Sequence, residues 1–574
     1  MSSSAPRSFE DIAALVRDHQ VGRRTTIATP FGERLVCYAD LTATGRFVTF
    51  AERWMRQVRG YYANSHTAVS TTGSLMTRLR EDARRIVARS VGAGPDDVVL
   101  FCGAGATAAV NKLVGLLGVR IPEPLERRWR LSDHIPAAAR PVVFVGPYEH
   151  HSNELPWRES IADVVEVGLD DVGGINLDDL ATKLAAYADR PLKLGAFSAA
   201  SNVTGILTDV RAVCRTLHAG GALAILDYAA AGPYVPIDMH PADDPTAGVD
   251  ALFLSTHKFV AGPQASGILV AHRDLFETRV PERPGGGTVD YVSAGGGVDY
   301  VARLHEREEG GTPAILGDLR AGVAFLVKEL AGADNIVEHE TRLARRALER
   351  LGAHPRVRIL GPTHLDRLAI VSFNIDGLHH DLVSALLDHL FGIQNRAGCS
   401  CAGPYGHRLL GIDVPTSERY RQLIQRGVNG IKPGWVRLSL PWYANEADID
   451  FILDATLFVA DHGDAFVPAY QLDWDDGVWR WVDAPPAGPP ALALTIDALL
   501  AAVDTVPVEE IPLDPAALAA ERARYFAEAH ALVTTLRARY GQAPASPRAT
   551  TGDPEVDALV WFDYAACGVV PDGT

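Results

Sequence analysis

The 574-residue sequence predicts an α/β fold: a large domain on a mostly parallel seven-stranded sheet flanked by helices, then a smaller α+β domain, then a C-terminal extension. Three observations carry this. Short apolar runs alternate with helical patterns between residues 98 and 270, as strands buried on both faces and their crossover helices do. The pattern then changes to mixed helices and strands behind a glycine-rich stretch, and changes again after residue 463. Finally, 47% hydrophobic and 22% charged residues describe an ordinary water-soluble chain, long enough to bury a large core without disulfides.

Taken in order, residues 1–70 form an N-terminal segment expected to join the smaller domain, with a short helix at Phe9–His19 and a strand end at Tyr38-Ala39-Asp40. Leu75, Leu79, Ala83, Ile86 and Val87 recur at helical spacing with arginines between them. The large domain spans 71–330. Its strand-like runs are Val98–Phe101, Val142–Val145, Val164–Val167, Leu194–Ser198, Leu223–Leu226, Leu252–Ser255 and Ile268–Val270, with helical patterns at Ala106–Leu117, Leu177–Tyr187 and Val210–Leu217. Glycines cluster in 285–313, and helical patterns follow at Leu316–Leu330 and Ile336–Leu351. The small domain, 331–463, reads as strands Arg356–Leu360, Leu368–Ile375 and Val436–Leu440 with helices Asp381–Phe391 and Glu446–Val459. In the extension, 464–574, Trp474, Trp479 and Trp481 flank a hairpin signal at Asp475-Asp476-Gly477. A Pro-rich linker follows at 485–490, then helical patterns at Ile496–Val503 and Pro515–Tyr540 and a flexible stretch at 543–553.

A net charge of -17 argues against non-specific nucleic-acid binding and against attachment to an anionic membrane. Six scattered cysteines are no secreted disulfide framework. The N-terminus lacks the apolar core of a signal peptide, and no apolar run has the length of a membrane span, so a cytoplasmic location is expected.

In parallel sheets ligands sit beyond the carboxyl ends of the strands, and Gly105, Ser201, Asp227 and His257 each follow a strand-like run. Gly103-Ala104-Gly105-Ala106-Thr107 lies between a strand and a helix, where free N–H groups and the helix dipole favour an anion. Glu149-His150-His151-Ser152-Asn153 fits a metal site, a catalytic dyad, an imidazole stacked on a cofactor ring, or an ordinary loop. Asp227 is either a turn or helix-cap residue, or the partner of a protonated ring nitrogen. Of only six lysines, Lys258 alone stands between two apolar runs, where an ammonium loses proton affinity and becomes nucleophilic; a surface-loop lysine is the other reading. Together Lys258 and Asp227 suit pyridoxal phosphate, tethered at the amine and polarised through its ring nitrogen. The loop Gly398-Cys399-Ser400-Cys401-Ala402-Gly403 offers a mobile nucleophilic thiol, half a metal site, or incidental cysteines. Arg437, in an apolar strand, wants a carboxylate, from the protein or from a substrate.

In order and spacing, these pieces resemble the class V aminotransferase group of fold-type I pyridoxal-phosphate enzymes, nearest its cysteine desulfurase/selenocysteine lyase branch. The matching segments include Gly105-Ala106-Thr107, Glu149-His150-His151-Ser152-Asn153, Ser201-Asn202-Val203-Thr204-Gly205, Asp227, Ser255-Thr256-His257-Lys258, Gly311-Thr312-Pro313, Arg396-Ala397-Gly398, Cys401-Ala402 and Arg437-Leu438-Ser439, over about residues 38–461. The resemblance implies that Lys258 joins the cofactor, His150 stacks on its ring, Asp227 pairs with its nitrogen and Asn202 lies near its hydroxyl. It implies that Ala106, Thr107, Ser255 and His257 hold the phosphate, with Thr312 from the partner subunit of a homodimer. Arg437 and Arg396 would take the substrate carboxylate. Cys401 would accept sulfur from L-cysteine, leaving alanine and a persulfide for a possible acceptor protein. No metal is implied. Two departures stand out: Ala230 replaces a family glutamine, and Cys399-Ser400 stands where the branch often has histidines. A class V transferase, epimerase or C–S lyase without a catalytic thiol is the alternative; a non-catalytic scaffold is a third.

Overall fold

The structure, a computed structural model, describes residues 8–483, 496, 514–541 and 551–564. The chain forms two compact units, one of Thr42–Thr341 with His364–Leu368, the other of Met1–Leu41, Arg342–Thr363 and Ala369–Thr574.

The first unit is built on a seven-stranded sheet in the order Asp97–Phe101, Ile268–His272, Ala251–Leu254, Leu223–Asp227, Lys193–Ser198, Val142–Val145, Asp163–Glu166. Ile268–His272 runs antiparallel to both its neighbours; the other pairs are parallel. The central strands carry apolar side chains on both faces because helices cover both. Ile225, Leu226, Leu252, Phe253 and Leu269 are wholly buried. Helix Gly105–Leu116 buries Ala109, Val110, Leu113 and Val114 in the same core. Register decides what reaches the sheet's functional edge: Ser198 pairs with Asp227, and Asp227 with Phe253, so three successive strands end level. Helices Thr71–Ser90 and Ile315–Ala331 pack closely at Gly322, where an added Cβ would stand 2.9 Å from the Ala83 side chain.

The second unit holds a four-stranded antiparallel sheet in the order Val357–Ile359, Ile370–Ile375, Trp435–Ser439, Arg396–Gly398. Helices His380–Phe391 and Glu446–His462 share its core. The expected hairpin joins Tyr470–Leu472 to Trp479–Trp481, turning at Gly477 with φ +78°.

The division between units differs from the one read in the sequence. It falls at Leu41 rather than residue 70, since helix Thr49–Arg59 belongs to the first unit, where Glu52 pairs with the buried Arg320. The described part of 464–574, read in the sequence as an extension of unknown role, belongs to the second unit. Helix Pro515–Tyr540 inserts Tyr525, Ala529, Val533 and Leu536 into the second unit's core, and Phe526 packs on Phe391, Phe451 and Phe458. Its mostly polar sequence hid this, because one narrow apolar stripe suffices for a helix lying on a surface. The linker at 485–490, the helical pattern at 496–503 apart from Ile496, and residues 543–550 lie outside the described residues. Among the described residues no helix is long and apolar enough to cross a membrane.

Leu536, 2% exposed, tests the helix's contribution. Leu536→Ala is expected to lower the unfolding free energy by ~2–5 kcal/mol, read as a lower urea midpoint.

Candidate active site

Within the first unit the predicted residues gather where the strands end. The strand Asp97–Phe101 runs into a turn in which Gly103 and Gly105 take φ of +67° and +61°, a region that disfavours side chains. At Gly105 a Cβ would also stand 3.0 Å from Ser255 Oγ and 3.5 Å from the His257 ring. The helix that starts here has Ala104 at its N-cap, with no side-chain cap, so its amide end is open to an anion; the Ala106 N–H donates to Ser255 Oγ at 2.9 Å. Thr107 is exposed, and its hydroxyl shares a hydrogen bond of 2.7 Å with Ser152. His257 lies beside Thr44, Nδ1 to Oγ1 3.3 Å. Burial and the neighbouring Lys258 ammonium push its pKa down to about 4, so the ring is neutral near pH 7.

Lys258 closes the 3-10 turn Thr256–Lys258. This turn is pinned from outside: the His257 carbonyl accepts from the Gly45 N–H at 2.9 Å and from Thr44 Oγ1 at 3.1 Å. At Gly45 a Cβ would fall 2.0 Å from the Phe259 carbonyl oxygen, so only glycine allows this approach. Asp227, buried at the end of its strand, accepts from the Ala229 N–H at 2.7 Å. Burial raises its pKa; the Ala229 bond and the Lys258 ammonium act against that rise.

His150 caps helix His151–Arg158, its Nδ1 accepting from the Ser152 N–H at 3.0 Å. Asn202 is buried in a turn where Ser201 Oγ accepts from the Val203 and Thr204 N–H groups at 3.2 Å each. Thr312, exposed, accepts from the Asn64 amide at 3.4 Å.

The structure separates the remaining residues into the second unit. Arg396 and Arg437 face each other across neighbouring strands and share Asp40: Arg437 Nη2 reaches Oδ1 at 2.9 Å and Arg396 Nε reaches Oδ2 at 3.0 Å. Arg437 is buried while the Arg396 side chain is half exposed. Sequence reasoning left Arg437's carboxylate open; the protein supplies one. Cys399 and Cys401 are both exposed, and Ser400 and Cys401 take φ of +50° and +57°. Two successive non-glycine residues in the left-handed region make a strained loop tip.

Two features were missed. Glu149 was noted only as part of a histidine motif. It is buried, accepting from the Ser198 N–H (2.9 Å), Ser198 Oγ (2.6 Å) and Asn153 Nδ2 (2.6 Å), and burial, with some help from Asp227, pushes its pKa up to about 7. The second is Lys328. In sequence it sits in a helical pattern with charged or polar neighbours, yet it is buried, donates to the Gly232 (2.7 Å) and Val235 (2.5 Å) carbonyls, and is pushed down to about 7 by desolvation. Lys258 is therefore not the sole lysine in an apolar setting; Lys328's amine is spent on backbone carbonyls.

A family model described as aminotransferase class-V matches residues 37–452. A probable cysteine desulfurase of Halalkalibacterium halodurans is 31% identical over 390 residues, 67% of this chain and 87% of the relative. A cysteine desulfurase of Pectobacterium atrosepticum is 29% identical over 394 residues, 68% of this chain and 85% of the relative. Among solved structures, the apo cysteine desulfurase of Thermococcus onnurineus superposes with a TM-score of 0.60 at 27% identity, over 74% of this chain and 95% of that one.

The buried Glu149 gives a pH signature. Its folded pKa of about 7 lies above the unfolded carboxylate's, so the folded state holds the proton more tightly. Below the unfolded pKa this residue costs nothing; the cost grows as pH rises and is complete above about 7. Relative to Glu149→Gln, the natural protein should lose up to ~3 kcal/mol of stability between pH 4 and pH 8, measured by urea unfolding at each pH.

Proposed function

Because the chain belongs to the aminotransferase class-V family, we propose that it is a pyridoxal-phosphate-dependent cysteine desulfurase, taking sulfur from L-cysteine to leave alanine and a persulfide on Cys401. The observation that carries the reading is the buried Asp227 carboxylate within electrostatic reach of Lys258, on the sheet edge that also presents the open helix end at Ala106. These residues fit the cofactor: an acid that needs a cationic partner, an amine, and an anion cradle that a Cβ at Gly105 would crowd.

When bound, pyridoxal phosphate supplies an electron sink for the substrate's α-carbon. The chain's own residues do the rest. Ala106, Thr107, Ser255 and His257 hold the phosphate, completed by the partner subunit's Thr312 in a homodimer. His257, neutral near pH 7, does so as a hydrogen-bond donor rather than as a charge. Asp227 would keep the ring nitrogen protonated, His150 would cover the ring face, and Asn202 would lie near the ring hydroxyl. Lys258 would hold the cofactor, and its amine would move the proton at the substrate's α-carbon. Arg437, with Arg396, binds the substrate carboxylate in place of part of its contact with Asp40. The Cys401 thiolate attacks the substrate sulfur. A sulfur–sulfur bond forms, the carbon–sulfur bond breaks, and its electron pair stays with the substrate carbon, which takes up a proton on the way to alanine.

One observation favours a second reading within the family. Ala230 is buried where a family glutamine would donate to the ring hydroxyl, and a methyl cannot donate. A class-V transferase, epimerase or C–S lyase that leaves Cys401 idle would accommodate that change.

Borohydride reduction followed by peptide mass spectrometry should place a pyridoxyl group on Lys258, and Lys258→Ala should abolish it. With L-cysteine and a thiol reductant, Cys401→Ser should lose more than ~100-fold in alanine formation while Cys399→Ser stays near the natural rate. Undiminished turnover in Cys401→Ser would select the second reading. Arg437→Met should raise KM for L-cysteine by ~10- to 100-fold, as the loss of a charged hydrogen bond does.

A further inference from the structure

We infer that the adjacent carboxylates Glu308 and Glu309 are positioning residues for the turn 103–107, gripping it from both flanks; this rests on the reading that the turn holds a phosphate. Consecutive side chains point in different directions, and here they diverge to the two elements that the turn connects. Glu309 takes the strand side. Its Oε1 accepts from the N–H of Phe101, the last residue of the strand, at 2.7 Å. It also receives Arg84 at 3.0 Å on each oxygen and pairs with Arg80. Both guanidinium groups lie over the Phe101 ring, 5.0 and 5.6 Å from its centre. Arg80 continues to Asp318 at 2.6 Å, and Asp318 accepts from Ser266 Oγ at 2.6 Å, beside Gly267, whose N–H donates to the Gly103 carbonyl at 2.6 Å.

Glu308 takes the helix side. Its carboxylate, wholly buried, accepts from Lys112 Nζ at 2.8 Å, and Lys112 also donates to the Glu308 carbonyl at 2.8 Å. Lys112 belongs to helix Gly105–Leu116, whose first turn is the anion end. Glu282 joins from the next loop, its N–H on Glu308 at 3.1 Å and its carboxylate 3.4 Å from Lys112.

A charge network this deeply buried is geometrically demanding, because each carboxylate must be met at a fixed place. Its bonds run to the strand end at Phe101 and to the helix through Lys112, so the network acts on the turn through them. A pocket of about 200 Å³ is lined by Cys102, Gly103, Lys112, Glu308 and Glu309 among others.

The test separates phosphate positioning from general support. Apo-protein, natural and carrying Glu309→Gln or Glu308→Gln, is titrated with pyridoxal phosphate and with pyridoxal, and Kd is read for both by fluorescence. Loss of positioning predicts that each variant binds pyridoxal phosphate about tenfold more weakly while its pyridoxal Kd is unchanged. Equal weakening of both ligands, or no change in either, overturns the proposal. Should a glutamine variant fail to fold, Lys112→Met cuts the same grip from the helix and faces the same criterion. If the natural protein itself binds pyridoxal as tightly as its phosphate, it is the phosphate reading of the turn that fails.

Discussion

A carboxylate buried at the end of a central strand is the constraint on which the first unit turns. Asp227 is buried at its strand's end, with burial raising its pKa and the Ala229 N–H donating to it. Such a group is tolerable if a cation comes to it, and the fold brings Lys258 within electrostatic reach from the next strand's exit. The same edge holds a second buried acid, Glu149, satisfied by three donors and poised near neutrality. Two buried acids with different partners, one met by three donors and one by a backbone N–H and the Lys258 charge, give this edge its polarity.

Backbone proximity, rather than side-chain chemistry, fixes the turn that carries Lys258. The turn bearing Lys258 is held by its His257 carbonyl against Gly45 and Thr44, at a distance no larger residue than glycine would permit. In the second unit the logic is reversed. Arg437 and Arg396 are kept apart from each other and in register by one shared acid, Asp40, so their forks are oriented in advance of any substrate carboxylate.

Much of this was legible in the sequence. All seven apolar runs became strands of one sheet, since a strand buried on both faces must be apolar throughout. The residues Ala106, Asp227, Ser255, His257 and Lys258 converge because strand ends converge, and chain order revealed the strand ends. What could not be read was long-range pairing of charge. Arg80, Arg84 and Lys112 lie in helical patterns, and their partners at 308 and 309 lie some two hundred positions away. The burial of Lys328 was hidden for the same reason: its acceptors are backbone carbonyls, which carry no sequence signature. Residues 42–70 fall in the first unit rather than with the smaller domain, because a boundary follows packing and this segment does not advertise its packing face.

Arg34 shows what the tail means for the second unit. Its guanidinium is 1% exposed, lies 4.7 Å from the Tyr525 ring centre, donates to the Leu390 carbonyl at 2.7 Å and meets Glu528 at 3.1 Å. Two of those three companions come from helix Pro515–Tyr540, beyond the stretch shared with the family. A chain trimmed to end where its relatives' likeness ends would confront an interior cation stripped of its counter-charge. Removing helix Pro515–Tyr540 would take both Tyr525 and Glu528 from this buried arginine.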